Sequence, residues 1–137
     1  MDPIFQSFLS GAPVLLLHFS VTVLLLAGGI GIYMVLTPHR EIHLIRSGNT
    51  AAAVSLSGAV LGLGLPLAFC MARSVNVLDI VIWGAITLLL QIVAYRIADL
   101  LLQGMSQRIV NNEIGPAILL VAIKLAISFI NAAAVAG

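Results

Sequence analysis

An all-α, polytopic membrane protein is the fold class this sequence predicts, and three observations predict it. The chain is 61% hydrophobic and 8% charged, with a mean hydropathy of +1.19. A soluble domain is about one-half apolar and roughly a quarter charged, so too little polar residue exists here to cover a water-facing surface. Four apolar runs are each long enough to cross a bilayer, which takes about 20 residues. The connections between them are short, and nothing outside the membrane is large enough to fold by itself. Residues 1–137 therefore read as a single transmembrane domain.

Charge and cysteine content narrow the function. The formal net charge is +1, and no basic cluster could track phosphates, which argues against nucleic acid as a partner. The single cysteine, Cys70, excludes an intrachain disulfide and a cysteine-based metal site; within an apolar helix it reads as a small packing residue.

The first predicted span runs from Pro13 to Leu36. Met1-Asp2-Pro3 before it lacks the basic segment of a cleaved signal peptide, so this helix is expected to be retained. The loop Thr37–Thr50 follows, with Pro38, two histidines, two arginines and the turn signal Gly48-Asn49. His39 and His43 are four apart, a spacing that can bind a metal. No third ligand is evident, and an ordinary loop is the better reading; no metal or other cofactor is expected.

The second span, Ala51–Ala72, carries Ala51, Ser55, Gly58 and Gly62 at spacings of four, three and four. These small residues make one flat face for close helix packing, with Gly58 and Gly62 as a GxxxG. Pro66 continues that face and is expected to kink the helix. The third span, Leu78–Leu102, follows a turn around Arg73-Ser74-Val75-Asn76. The fourth, Ile114–Ala136, follows Gly104–Glu113.

Polar residues recur at helical spacing on the other spans: His18, Thr22 and Gly29 on the first; Gly84, Thr87, Gln91 and Tyr95 on the third; Lys124, Ser128 and Asn131 on the fourth. If these stripes converge, the interior holds a polar seam. Depth counting places Gln91 level with Lys124 and His18 level with Asn131, so the first pair is expected to share a contact or a bridging water. Lys124 is the only lysine in the chain. It lies ten residues into its span, about 15 Å from the interface at 1.5 Å per residue, too deep to reach water comfortably. By this counting no Asp or Glu lies at its depth, since Asp79, Asp99 and Glu113 sit near span ends. The amine is then neutral, solvated by Gln91, carbonyls and buried water, or turned towards a water path or an anionic partner.

Shifting the chain by 64 residues lays Leu24-Leu25-Leu26 on Leu88-Leu89-Leu90 and Ile45 on Ile109. This predicts two two-helix units, about 13–72 and 78–136. An even number of spans per unit gives both the same orientation, hence a parallel repeat about an axis along the membrane normal. Arg40, Arg46, Arg96 and Arg108 flank one side and only Arg73 the other. The positive-inside rule then makes both charged loops cytoplasmic and both termini periplasmic.

Thr37-Pro38-His39, Leu44-Ile45, Asn49-Thr50-Ala51-Ala52-Ala53, Ser57-Gly58 and Gly62 to Pro66-Leu67 resemble a known family. The likeness continues through Trp83-Gly84, Gln91, Arg108-Ile109, Asn111-Asn112 and Ile130-Asn131-Ala132-Ala133. The family is the YjfL-like bacterial membrane proteins, domain-of-unknown-function family 350. The resemblance covers nearly the whole chain and implies a small inner-membrane protein of two tandem two-helix units. It supplies no activity and no catalytic residue. It does point to the loop ends of the second and fourth spans, where Asn49 or Thr50 could cap one helix and Asn112 the other. Alternatively, these helix starts attract an acidic partner group.

No pair of groups suits acid–base or nucleophilic work, so the chain does not read as an enzyme. The first functional expectation is a membrane subunit, in a homo-oligomer or heteromeric complex, docking a cytoplasmic partner through Arg40, Arg46, Arg108 and Asn111-Asn112. The second is a small oligomeric channel or transporter with Lys124 at the centre of its seam. In that case a ring of lysines would favour anions.

Overall fold

The structure is a computed structural model that describes residues 2–37, 41–102 and 104–137. Its elements are α1 (Pro3–Leu36), α2 (Glu41–Arg46), α3 (Thr50–Arg73), α4 (Val77–Leu101), α5 (Met105–Val110) and α6 (Ile114–Ala136). Four of these, α1, α3, α4 and α6, are long and apolar enough to span a membrane. The fourth span has the predicted bounds, and the second and third differ by single residues.

The first span departs most, because α1 begins ten residues before Pro13. Asp2 explains the early start. Its carboxylate accepts the Ile4 amide, and Pro3 occupies the first helical position, where a missing amide costs nothing. Pro13 is carried inside the helix. At 34 residues, α1 is about 51 Å long, well beyond the roughly 30 Å of a hydrocarbon core. Its first half is mostly exposed, and further along Leu25 lies against Gly84 and Leu88 against Gly29.

The loops are also more ordered than expected. Each holds a six-residue helix, α2 or α5, too short for hydrophobic periodicity to register. These helices begin 64 positions apart, as do α3 and α6. Gly48 (φ +92°) and Asn112 (φ +61°) adopt left-handed conformations at the same interval.

Helix α3 is the central element and packs chiefly against α6, while α1 packs chiefly against α4. The core divides into two clusters. One joins Tyr33, Ala59, Leu63, Leu67, Leu88, Ile92 and Tyr95 of α1, α3 and α4. The other joins Ala51, Ala52, Ile109, Ala117 and Leu120 near the loops.

Candidate functional site

Close packing on α3 creates the site. Ala51, Ser55, Gly58, Gly62 and Pro66 are all buried along one face. A Cβ added at Gly58 would fall 2.5 Å from Val121 Cγ2, and one at Gly62 would collide with Tyr95 Oη. With no side chains there, hydroxyls from α4 and α6 reach the α3 backbone. Tyr95 Oη donates to the Ala59 carbonyl at 3.2 Å, and Ser128 Oγ donates to the Gly62 carbonyl at 2.8 Å. Each carbonyl has a second lone pair available for this.

Lys124 lies at the centre, 1% exposed. Its ammonium donates to Tyr33 Oη at 2.7 Å and pairs with Asp99 Oδ1 at 3.3 Å. It also sits 4.8 Å from the Tyr33 ring centre and 5.0 Å from that of Tyr95, within cation–π range. The two rings meet edge to face at 5.6 Å. Arg96 reaches the same carboxylate at 3.8 Å.

The ion pair corrects the expectation that no acid lies at the depth of Lys124. Residue counting sets Asp99 about 12 Å nearer the interface than Lys124. That count takes helix ends as level and ignores side-chain direction. A lysine on a helix leans towards the helix N-terminus, which for α6 is the side where α4 ends. The long stem then brings the ammonium to the carboxylate. The ammonium is enclosed by its own chain.

Beyond Lys124, Gln91 Nε2 donates to the Lys124 carbonyl at 3.4 Å. Gln91 Oε1 accepts Asn131 Nδ2 at 2.9 Å, and the same amide donates to the Thr87 carbonyl at 3.2 Å. Asn131 Oδ1 is buried with no hydrogen-bond partner. Six predicted seam residues therefore come together: Lys124, Gln91, Ser128, Asn131, Thr87 and Tyr95. His18 and Thr22 do not join them. The Thr22 hydroxyl turns back to the His18 carbonyl at 2.7 Å, and both residues are half-buried on α1. Tyr33 and Asp99 were not singled out from the sequence, yet each continues a polar stripe, Tyr33 four residues past Gly29 and Asp99 four past Tyr95.

A cavity adjoins each end of this network. On the loop side, about 200 Å³ is lined by Lys124, Asp99, Arg96, Tyr33, Thr37 and Ser55 together with residues of α5. On the opposite side, about 480 Å³ is lined by Arg73, Asp79, Trp83, Thr87 and Asn131 among others. The Gln91–Asn131 pair and Ser128 lie between them.

The loop residues proposed for docking or capping are largely committed internally. Asn49 caps α3 by accepting the Ala52 amide at 2.9 Å, and its Nδ2 donates to the carbonyls of Ile109 and Val110, each at 3.0 Å. Asn112 does not cap the helix that follows it; its Oδ1 accepts the Ala51 amide of α3 at 3.0 Å. Its left-handed backbone accompanies this turn towards the neighbouring helix, and α6 starts at Glu113 without a side-chain cap. Thr50 is exposed in the first turn of α3. Arg108 pairs with Glu113 at 3.1 Å, an exposed contact that holds the guanidinium above its usual pKa. Asn111 accepts Gln107 Nε2 at 3.3 Å, Arg46 is exposed, and Arg40 lies outside the described residues. Among the described residues no cluster of three or more His, Cys, Asp or Glu could hold a metal ion.

Known proteins resemble this sequence. The chain is 31% identical over 116 residues to the UPF0719 inner membrane protein YjfL of Escherichia coli strain K12, covering 85% of this chain and 88% of that protein. The same figures hold for YjfL of Escherichia coli O157:H7. No solved structure matches. Residues 7–135 match the Domain of Unknown Function family DUF350, and with four membrane-capable helices and inner-membrane relatives, this chain belongs to that family.

Proposed function

We propose that the protein passes a small ion or solute through a polar seam inside one protomer, gated by Lys124, Asp99 and Tyr33, and that it is not an enzyme. The ion pair carries this reading. An ionisable pair within membrane-spanning helices is costly and is characteristic of ion and proton pathways. Here it borders one cavity, and hydrogen-bonded amides link it towards a second on the other side. The two halves are read as same-orientation repeats, supported by the 64-residue interval between matching elements. The arginine bias places the α2 and α5 side in the cytoplasm and both termini in the periplasm.

Purified protein in liposomes tests the proposal, with an internal pH-sensitive dye reading protons and radiolabelled uptake reading other candidate solutes added outside. Lys124→Met should abolish any flux seen with the wild type. Equal flux through the variant, or none through the wild type across protons and small inorganic and organic ions, refutes it.

A second reading is a membrane subunit that docks a cytoplasmic partner or assembles with other chains. Exposed Arg46 favours it, whereas Arg108, Asn49 and Asn112 already have internal partners. A partner co-purifying at fixed stoichiometry and lost with Arg46→Ser would select this reading.

A further inference from the structure

We propose that the groove between α1 and α4 holds an acyl chain of an anionic phospholipid whose phosphate rests on Arg96. Gly84 admits Leu25, and Gly29 admits Leu88; a Cβ at these glycines would fall 2.9 and 2.8 Å from the leucine methyls. The second contact lies four residues after the first on both helices, so α1 and α4 run in the same direction and both end at the loops. Between them a groove of about 500 Å³ stays open. Its walls are apolar and exposed, among them Leu24, Ile32, Leu89 and Ile97. On α4 it extends from Ala85 to Leu100, about 22 Å at 1.5 Å per residue. That length covers the hydrocarbon depth of one leaflet, roughly 15 Å.

Charge identifies the headgroup. Among the described residues Arg96 is the one charged residue lining the groove. It stands five residues before the end of α4, about 8 Å from the loop-side end, a distance its long stem can cover. The guanidinium is turned that way, because Nη1 lies 3.8 Å from Asp99, one turn nearer the loops. Asp99 does not neutralise it alone: the same carboxylate holds the Lys124 ammonium at the shorter distance of 3.3 Å, so one acid serves two cations. A planar guanidinium binds a phosphate through paired hydrogen bonds. A second copy of the chain is the poorer match for this surface. Of the five acidic residues, Asp2 and Asp79 stand at the opposite ends of their helices, Glu41 is buried, Glu113 pairs with Arg108 and Asp99 is already engaged. A phospholipid supplies both the anion and the chain.

Native mass spectrometry of the delipidated full chain in neutral detergent, titrated with phosphatidylglycerol or the matched diacylglycerol, tests the proposal. The readout is lipid mass and needs no flux, so it stands apart from the proposed function. One phosphatidylglycerol per protomer should bind at least fivefold more tightly than diacylglycerol. Arg96→Gln should abolish that preference. Gly28→Leu should weaken both lipids at least fivefold, because Gly28 lines the groove and an added Cβ there meets nothing within 4 Å, so the side chain fills the groove without disturbing the helix. Gly31 is equally unobstructed but does not line the groove, and Gly31→Leu should bind as the wild type does. A phosphatidylglycerol carrying a photoreactive group in mid-chain gives a second measurement on the wild type alone: crosslinks should fall within 24–36 and 85–100. The proposal is overturned by equal affinity for the two lipids, by unchanged binding in Gly28→Leu, or by crosslinks spread evenly over all four spans, as for bulk lipid. A dimer that excludes lipid and is lost in Gly28→Leu would assign the groove to a second copy and overturn it too.

Discussion

Removing either member of the Lys124–Asp99 pair should destabilise the protein unequally. Breaking a buried ion pair by deleting one partner costs about 3–5 kcal/mol when the survivor is left buried and unpaired. Asp99→Asn approaches that range, because the Lys124 side chain is 1% exposed and keeps only neutral Tyr33 Oη and two aromatic faces as partners. Lys124→Met should cost less, about 1–2 kcal/mol. The side chain of Asp99 is 20% exposed, adjoins the loop-side cavity and retains Arg96 at 3.8 Å. The double variant removes both charges and should resemble Lys124→Met alone, giving a coupling equal to the Asp99→Asn cost, about 3 kcal/mol. Reversible unfolding in mixed micelles, followed by circular dichroism across the four proteins, measures these terms. Equal single costs or additive effects would refute the view that Lys124 depends on Asp99 more than Asp99 depends on Lys124.

Other contacts yield sharper local expectations. Gly62→Ala should destabilise by about 1–3 kcal/mol, the usual cost of overpacking, because its methyl meets Tyr95 Oη. Gly64→Ala meets only Leu26 methyls at 3.8 Å and should leave the melting temperature unchanged or slightly raised; thermal unfolding in detergent compares the two. Asn49→Ala removes a helix cap and both donors to the end of α5. It should cost about 2–3 kcal/mol and speed proteolysis between α2 and α3. Arg108→Ser removes an exposed ion pair and should leave the melting temperature unchanged.

The spans were legible because hydropathy in a membrane protein is a strong signal spread over twenty residues. The seam was legible in part. Thr87, Gln91 and Tyr95 repeat on one face of α4, as do Lys124, Ser128 and Asn131 on α6, and those faces meet at α3. His18 does not join the network because level depth does not imply contact, and the first half of α1 is mostly exposed. Asp99 was missed because residue counting ignores the lean of a lysine stem. Tyr33 lies one turn beyond the named residues of its stripe, and an aromatic side chain there looks like ordinary apolar packing until its hydroxyl is seen against the ammonium. The Asn112 cap on α3 joins residues 61 apart in sequence, a pairing that local capping rules do not encode.

A seam joining two opposed cavities requires their linings to open on opposite faces of the membrane, and cysteine accessibility reads that sidedness. In a Cys70→Ala background, Thr87→Cys, Ser55→Cys and Ser128→Cys are exposed to a membrane-impermeant thiol reagent in sealed right-side-out and inverted vesicles. Thr87→Cys should react only from the periplasmic face and Ser55→Cys only from the cytoplasmic face, with Ser128→Cys protected from both. Labelling of Thr87→Cys and Ser55→Cys from the same face, or of neither from any face, would contradict a seam joining two opposed cavities.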